Sequence, residues 1–339
     1  MNQRGLHGAT LQILRRRLSC PPFARPLWSR LRLSSATGIL EVFELAADGW
    51  SLGLAPSSGA IVWCAYEQSE ILRRTKLQSN WRQDPFSFSC FPLAPYSNRI
   101  RDGRFEFDGK TVRIEPNAPG HAHPLHGTAW RGEWSLSSQS ENAAMLDYVH
   151  HAGKAWPWSF SLAQKIVIEN DALSIRLMLR NTSGEAMPAG LGFHPYFSNP
   201  QAARLRFAAE GLWLPDEAGL PETWRALGGE FDFSGGRSLK DVSIDHCFTG
   251  WRGKAQIGWR DRPFGVEITA DPAMGFVVVY VSEEEDCFCF EPVSQMNDAL
   301  NWANRREDTG LRVLEPGEEW PVEMRMRVFK TAEKIKWEE

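Results

Sequence analysis

From Leu40 onward, apolar and polar residues follow one another in short alternating runs, each closed by Gly, Asn, Asp or Ser. A period of two sends successive side chains to opposite faces of an extended strand, whereas a helix repeats every three to four residues. The pattern predicts strands over 42–54, 105–114, 144–149, 160–168, 173–180, 265–269 and 276–282, with a further run at 287–291 that Pro292 is expected to stop. Asp108-Gly109 predicts a tight hairpin turn, because glycine adopts positive φ without strain. Glu283-Glu284-Glu285-Asp286 joins 276–281 to 287–291 in a second hairpin, and Asn170-Asp171 and 181–184 mark two more turns. Helical spacing is confined to 298–306 and, more weakly, to 6–18. A strand every eight to twelve residues implies an all-β protein, a large two-sheet β-sandwich with long loops and few short helices.

Composition narrows the class. With 339 residues, 42% of them hydrophobic, the chain can bury a full core. No Pro/Gly/Ser-rich linker interrupts 38–330, so that stretch is expected to be one domain, preceded by a basic, disordered leader (1–37) and followed by a charged tail (331–339). The leader carries seven arginines and no acid, a composition shared by mitochondrial transit peptides and by plain disordered extensions. The formal charge of −4 becomes −11 once those arginines are set aside, and an acidic body argues against nucleic acid as a partner. No run approaches the roughly 20 apolar residues of a membrane span. Six cysteines without C-x-x-C spacing suit a reducing compartment, and the cytoplasm is the expected location. Cys287 and Cys289, two apart, face one side of their strand and read as small core residues. Fifteen tryptophans tilt the expectation mildly toward a carbohydrate ligand, since aromatic faces stack on sugar C–H faces.

The candidate chemistry is a carboxylate and two histidines. Glu291, at the end of an apolar strand, is placed to be half buried with its proton affinity raised. His126 lies in His123-Pro124-Leu125-His126-Gly127, and His194 in Gly190-Leu191-Gly192-Phe193-His194-Pro195-Tyr196-Phe197. An acid and a base move protons without a cofactor, and no metal or cofactor is expected.

Asn98-Arg99-Ile100 with Asp102-Gly103-Arg104-Phe105, then the His126 and His194 blocks, Ile244-Asp245-His246-Cys247-Phe248 and Phe290-Glu291-Pro292 resemble, in order and spacing, the aldose 1-epimerase (galactose mutarotase) family over about residues 40–328. The resemblance implies a β-supersandwich with an open cleft and a cofactor-independent isomerase acting on a small sugar. By the same comparison Glu291 is similar to the family's general base and His194 to its general acid. Arg99, His126 and Asp245 are similar to its substrate-binding residues, with Asn98 and Tyr196 beside them. The chemistry then requires Glu291 ionised and His194 charged at the start, with Glu291 raised by partial burial and His194 supported by nearby carboxylates.

Three blocks depart from the galactose-converting branch: Thr128-Ala129-Trp130 after Gly127, Ser198-Asn199-Pro200 after Phe197, and Pro292-Val293-Ser294-Gln295 after Glu291. They flank the acid and base and leave the sugar open. The competing readings are a hexose-6-phosphate 1-epimerase, which needs a basic pocket drawn from residues such as Arg101, Arg104, Arg131, Arg252 or Lys254; a non-catalytic sugar-binding protein on the same fold; and a metal site from His121, His123, His126 and Glu291, with His121 and His123 otherwise exposed loop residues. The oligomeric state is not readable from one sequence.

Overall fold

The computed structural model describes residues 30–35, 38–75, 85–304 and 308–330, with side chains from Leu40 onward. The weaker helical stretch at 6–18, most of the leader and the tail lie outside these residues. Two large antiparallel sheets face each other. The larger, of twelve strands, runs Arg30–Ser35, Gly38–Ala47, Trp50–Ala55, Ala60–Tyr66, Ser69–Leu72, Gly192–Ser198, Cys287–Val293, Phe276–Val281, Ile244–Thr249, Gly211–Pro215, Pro221–Ala226, with Cys90–Leu93 pairing beside Gly192–Ser198 and Ala60–Tyr66. The second, of nine, is centred on Phe264–Ala270, Glu319–Lys330, Ala172–Asn181 and Phe160–Glu169.

One face of each sheet meets the other in a shared core that includes Phe193, Phe197, Phe288, Phe290, Val277 and Val279 from the larger sheet and Leu162, Ile166, Leu177, Val266 and Met324 from the smaller. Each such side chain, fully buried, contributes roughly 1.5–3 kcal/mol relative to exposure. The smaller sheet turns its other face outward, so Phe160–Glu169 alternates buried with partly or fully exposed positions. The larger sheet is covered on its second face too: every residue of Gly192–Ser198 and Cys287–Val293 is buried. That second face carries a separate cluster containing Phe91, Trp130, Tyr196, Trp213, Cys247, Val278, Cys287, Cys289 and Val293.

The architecture is the expected all-β sandwich, with differences in detail. The run 42–54 is two strands, because Asp48 and Gly49 take positive φ (49° and 80°) and turn the chain. This is the same Asp-Gly signal that makes the 108–109 hairpin, where φ is 49° and 70°. Pro292 does not stop its strand, which continues to Val293. The prolines Pro195 and Pro292 lack an N–H, and the ladder between Gly192–Ser198 and Cys287–Val293 is interrupted between the Gly192–Val293 and Tyr196–Cys289 pairs while its register is kept. The helix expected over 298–306 is four residues, Ala299–Trp302, entered from Asp298 in the left-handed region. Arg30–Ser35, inside the stretch read as a leader, pairs with Gly38–Ala47 at the sheet edge. Glu319–Lys330, which the pattern did not single out, is a central strand between Ala172–Asn181 and Phe264–Ala270.

Candidate active site

Strand register builds the site. The pairing that joins Gly192 to Val293 and Tyr196 to Cys289 sets His194 opposite Glu291 on the neighbouring strand. Glu291 in turn pairs with Val278, and Val278 with Cys247; one step along, Cys289 pairs with Tyr280 and Tyr280 with Asp245. Because side chains two apart share a face, His194, Glu291, Tyr196, Cys289, Tyr280 and Asp245 all project from the second face of the larger sheet. Phe288 and Phe290 project into the sandwich core.

Over this face, two loops are locked together. Ala94 bridges Gly127 and Arg99 bridges Leu125. Asn117 Nδ2 donates to the carbonyls of Leu125 (2.7 Å) and Gly127 (3.0 Å), and Trp130 Nε1 donates to the same two at 3.1 Å. Asn98 and His126 hold each other: the His126 N–H donates to the Asn98 carbonyl (2.9 Å), and the Asn98 N–H donates to His126 Nδ1 (3.2 Å). Both take positive φ, 57° and 59°. Gly127 must be glycine here, since a Cβ would lie 2.1 Å from the Ala94 carbonyl oxygen. Asn98 Oδ1 accepts from the Arg99 backbone N–H (2.9 Å) and from its guanidinium (3.3 Å), so the arginine's direction is set by its neighbour.

Sheet and loops enclose a cavity of about 490 Å³ lined by all seven expected residues, Asn98, Arg99, His126, His194, Tyr196, Asp245 and Glu291. Its size falls among small-molecule sites, which run about 300–1,000 Å³. Arg73, Phe86, His121, Tyr280, Glu285 and Cys289 complete much of the wall. Tyr280 and Cys289 were within reach of the sequence, since period-two counting back from Glu291 brings Cys289 to the same face and the hairpin carries Tyr280 to it. Cys289, read as a core residue, therefore lines the cavity as well. Arg73 lies in a segment without pattern and gave no signal.

His194 Nε2 is 3.4 Å from Glu291 Oε1, with the residues 5% and 3% exposed. The imidazole stacks on Tyr196 (centroids 4.6 Å, 17° between planes) and lies against Phe91 (4.6 Å), with His126 edge-on at 5.1 Å. Among the described residues, its Nδ1 has no partner other than its own main chain. Burial raises the Glu291 carboxyl well above its ordinary range; Asp245 adds to this and Arg99 opposes it. Burial pushes His194 down to about 3, and the nearby positive charge of Arg73 adds to that shift. The expectation of a carboxylate-supported, charged His194 is therefore corrected. Within the protein both groups favour the neutral form, with the proton on Glu291. This arrangement holds the same number of protons as the ion pair and differs by one transfer between facing atoms.

His126 is held neutral by burial, with His194, Arg99 and His121 adding to the effect. Because Nδ1 accepts from Asn98, the proton resides on Nε2. Asp245 is raised by burial, with Arg99 and His246 opposing.

The residues of the competing readings lie elsewhere. Arg101 pairs with Asp216 (2.8 Å), Arg104 with Glu106 (3.4 Å), Arg252 with Glu210 (3.9 Å) and Lys254 with Glu267 (3.2 Å), while Arg131 sits over Trp130. None of the five lines the cavity. His123, expected to be exposed, is buried and accepts the Asp102 N–H (3.0 Å), and His121 is half-buried at the cavity wall. Among the described residues, the four groups His121, His123, His126 and Glu291 do not come together as one ligand set.

Comparison with known proteins identifies the family and the fold. Residues 58–327 match the family model described as aldose 1-epimerase. YphB, an uncharacterised protein of Escherichia coli K12, is 30% identical over 297 residues, covering 85% of this chain and 99% of its own. The aldose 1-epimerase of Escherichia coli K12 is 25% identical over 175 residues, 48% of this chain and 49% of that one. A crystal structure of an Escherichia coli K12 protein superposes with a TM-score of 0.78 at 29% identity, covering 85% of this chain and 99% of that one. The family match spans well over half of the chain, and the chain belongs to the aldose 1-epimerase family.

Proposed function

We propose that the protein is a mutarotase, interconverting the α and β anomers of a free hexose by general acid/base ring opening and reclosure. One observation carries the reading: His194 Nε2 and Glu291 Oε1 face each other at 3.4 Å in the wall of a cavity whose other polar groups suit sugar hydroxyls. Glu291 takes the proton of the anomeric hydroxyl while His194 gives one to the ring oxygen. The C1–O5 bond breaks, the aldehyde rotates, and the reverse transfers close the ring on its other face. The protons gained and lost balance, so no cofactor is consumed.

Arg99, His126 Nε2–H and Asn98 supply donors, and Asp245 supplies acceptors, for the ring hydroxyls. Arg99 also favours the ionised form of Glu291 that the first step needs. The reactive state holds one proton between the pair. It gives way to the doubly protonated pair only as pH falls toward about 3, the His194 value, and to the deprotonated pair only above the ordinary carboxylate range. kcat/KM is therefore expected to fall on the acid side as pH approaches about 3 and on the basic side as pH rises through the raised Glu291 value.

A neutral sugar is favoured over a sugar phosphate. Of the arginines in the wall, Arg73 donates to Cys287 Sγ (3.2 Å) and to the carbonyls of Phe86 and Phe88, and Arg99 is held by Asn98. We place the protein in the cytoplasm, a reading supported by the five described cysteines being free and buried. No helix among the described residues is long and apolar enough to cross a membrane.

The test is polarimetry or NMR exchange of α/β interconversion over a panel of hexoses, pentoses and hexose 6-phosphates. Acceleration with free hexoses supports the reading. Preference for the phosphates would replace it with the 6-phosphate epimerase. Sugar binding without acceleration would leave a binding protein.

A further inference from the structure

The thiol of Cys289 is an addition to the acid/base pair that mutarotation does not use. Cys289 Sγ, His194 Nε2 or Nδ1 and a Glu291 carboxylate oxygen lie within 4.8 Å of one another, and all three residues are buried. The cause is the register already described: Cys289 and Glu291 are two apart on one strand, and His194 stands opposite Glu291 on the next.

Two ligands of a tetrahedral first-row ion, at about 2.0–2.3 Å from it, are about 3.3–3.6 Å apart. The 3.4 Å between His194 Nε2 and Glu291 Oε1 already meets that spacing. The sulfur needs to close by no more than about 1.5 Å, within reach of a χ1 adjustment. Imidazole, thiolate and carboxylate together are a donor set for Zn²⁺ and its relatives rather than for Mg²⁺ or Ca²⁺, which take oxygen ligands. Two anionic ligands would also neutralise the divalent charge, which a buried location requires. Three protein ligands beside a cavity leave the fourth position open to solvent.

We propose that His194, Cys289 and Glu291 form a site for a thiophilic divalent cation of the Zn²⁺ class, and that its occupancy silences the acid/base pair. A bound ion takes the imidazole lone pair and the carboxylate that proton transfer needs, so sugar turnover and metal binding exclude each other. Binding itself does not depend on the mutarotase reading; the inhibitory consequence rests on it. Burial holds both the Cys289 thiol and the Glu291 carboxyl protonated, so the ion must displace two protons, one from each, as it binds.

The experiment titrates the full chain with Co²⁺ as a spectroscopic stand-in and with Zn²⁺ as the inhibitor. Co²⁺ is expected to give a thiolate-to-cobalt charge-transfer band at one equivalent in the wild type and in Cys287→Ser, and no band in Cys289→Ser. Zn²⁺ is expected to inhibit the wild type competitively with sugar, reversibly on adding chelator, and at least tenfold more weakly in Cys289→Ser. The Cys287→Ser variant guards against a general effect of removing a buried thiol, because that residue shares the strand and face. Absence of the band in the wild type, its survival in Cys289→Ser, or its loss in Cys287→Ser alone would overturn the site. A band that forms as expected while Zn²⁺ leaves turnover unchanged would overturn the silencing. Should no sugar be turned over at all, the cobalt band still decides the metal site, and only the function reading falls.

Discussion

Phe160–Glu169, in the nine-stranded sheet, and Cys287–Val293, in the twelve-stranded one, are both interior antiparallel strands, yet their surroundings differ on one side. The first presents Leu162 and Ile166 to the core and its other face to solvent. The second presents Phe288 and Phe290 to the same core, but Cys287, Cys289 and Glu291 face a second buried layer formed by the loops around residues 86–130. A sheet face covered by loops rather than by another sheet can bring polar groups out of water while leaving a gap for a ligand. Burial then shifts the proton affinities of Glu291 and His194, a cost that the solvated face of the other sheet never meets.

The largest expected effect comes from removing the titrating groups on that buried second face. Glu291→Gln and His194→Asn are each expected to lower kcat/KM by about 10² to 10⁴, equivalent to about 2.7–5.5 kcal/mol of transition-state stabilisation. Because the two groups act as a unit, the double variant is expected to be little slower than the worse single one. Polarimetric rates on all three proteins check this, and full activity in both single variants would remove the acid/base assignment.

On the opposite face of the same strand, the loss should appear in stability. Phe290 is fully buried and meets Phe207 and Trp251 edge-on, with centroids at 5.3 and 5.4 Å. Phe290→Ala is expected to cost about 3–5 kcal/mol through lost burial and a residual cavity. Denaturant unfolding measures it. If the variant, assayed where it is folded, lost as much kcat/KM as Glu291→Gln, the separation of the two faces would fail.

The same contrast decided what the sequence disclosed. Strands with one solvated face, such as 160–168 and 173–180, show the alternation directly and lie within one or two residues of their observed bounds. In Gly192–Ser198 and Cys287–Val293 burial on both faces erases it, and only the ordered blocks around His194 and Glu291 marked the site. The seven candidate residues were brought to one cavity by that resemblance, and not by periodicity. Arg73 escaped because it acts through the carbonyls of Phe86 and Phe88, contacts between segments that no local pattern records. Pro292 misled because the usual penalty of a proline in a strand is avoided where the ladder is already interrupted.

The smallest effect tests the cost of burying the site. Glu291 in the folded chain holds its proton more tightly than an ordinary carboxyl of pKa 4.5, its reference in the unfolded chain. A raised folded value means that the stabilisation is fully present below about pH 4.5 and is lost as pH rises through the folded value, because the unfolded chain releases the proton first. Gln at this position keeps the shape and carries no titrating proton. The Tm of Glu291→Gln minus that of the wild type is therefore expected to be near its minimum at acid pH and to grow as pH rises, by about 2 °C for each kcal/mol lost in the wild type. His194 is depressed, so its own cost appears at the other end, as pH falls from about 6.5 toward about 3; being present in both proteins, it largely cancels in the difference. Thermal melts of the pair at several pH values make the measurement. A difference that stayed flat or shrank toward alkaline pH would mean that the buried face holds Glu291 as a carboxylate, and that the contrast between the two sheets lies in shape rather than in proton affinity.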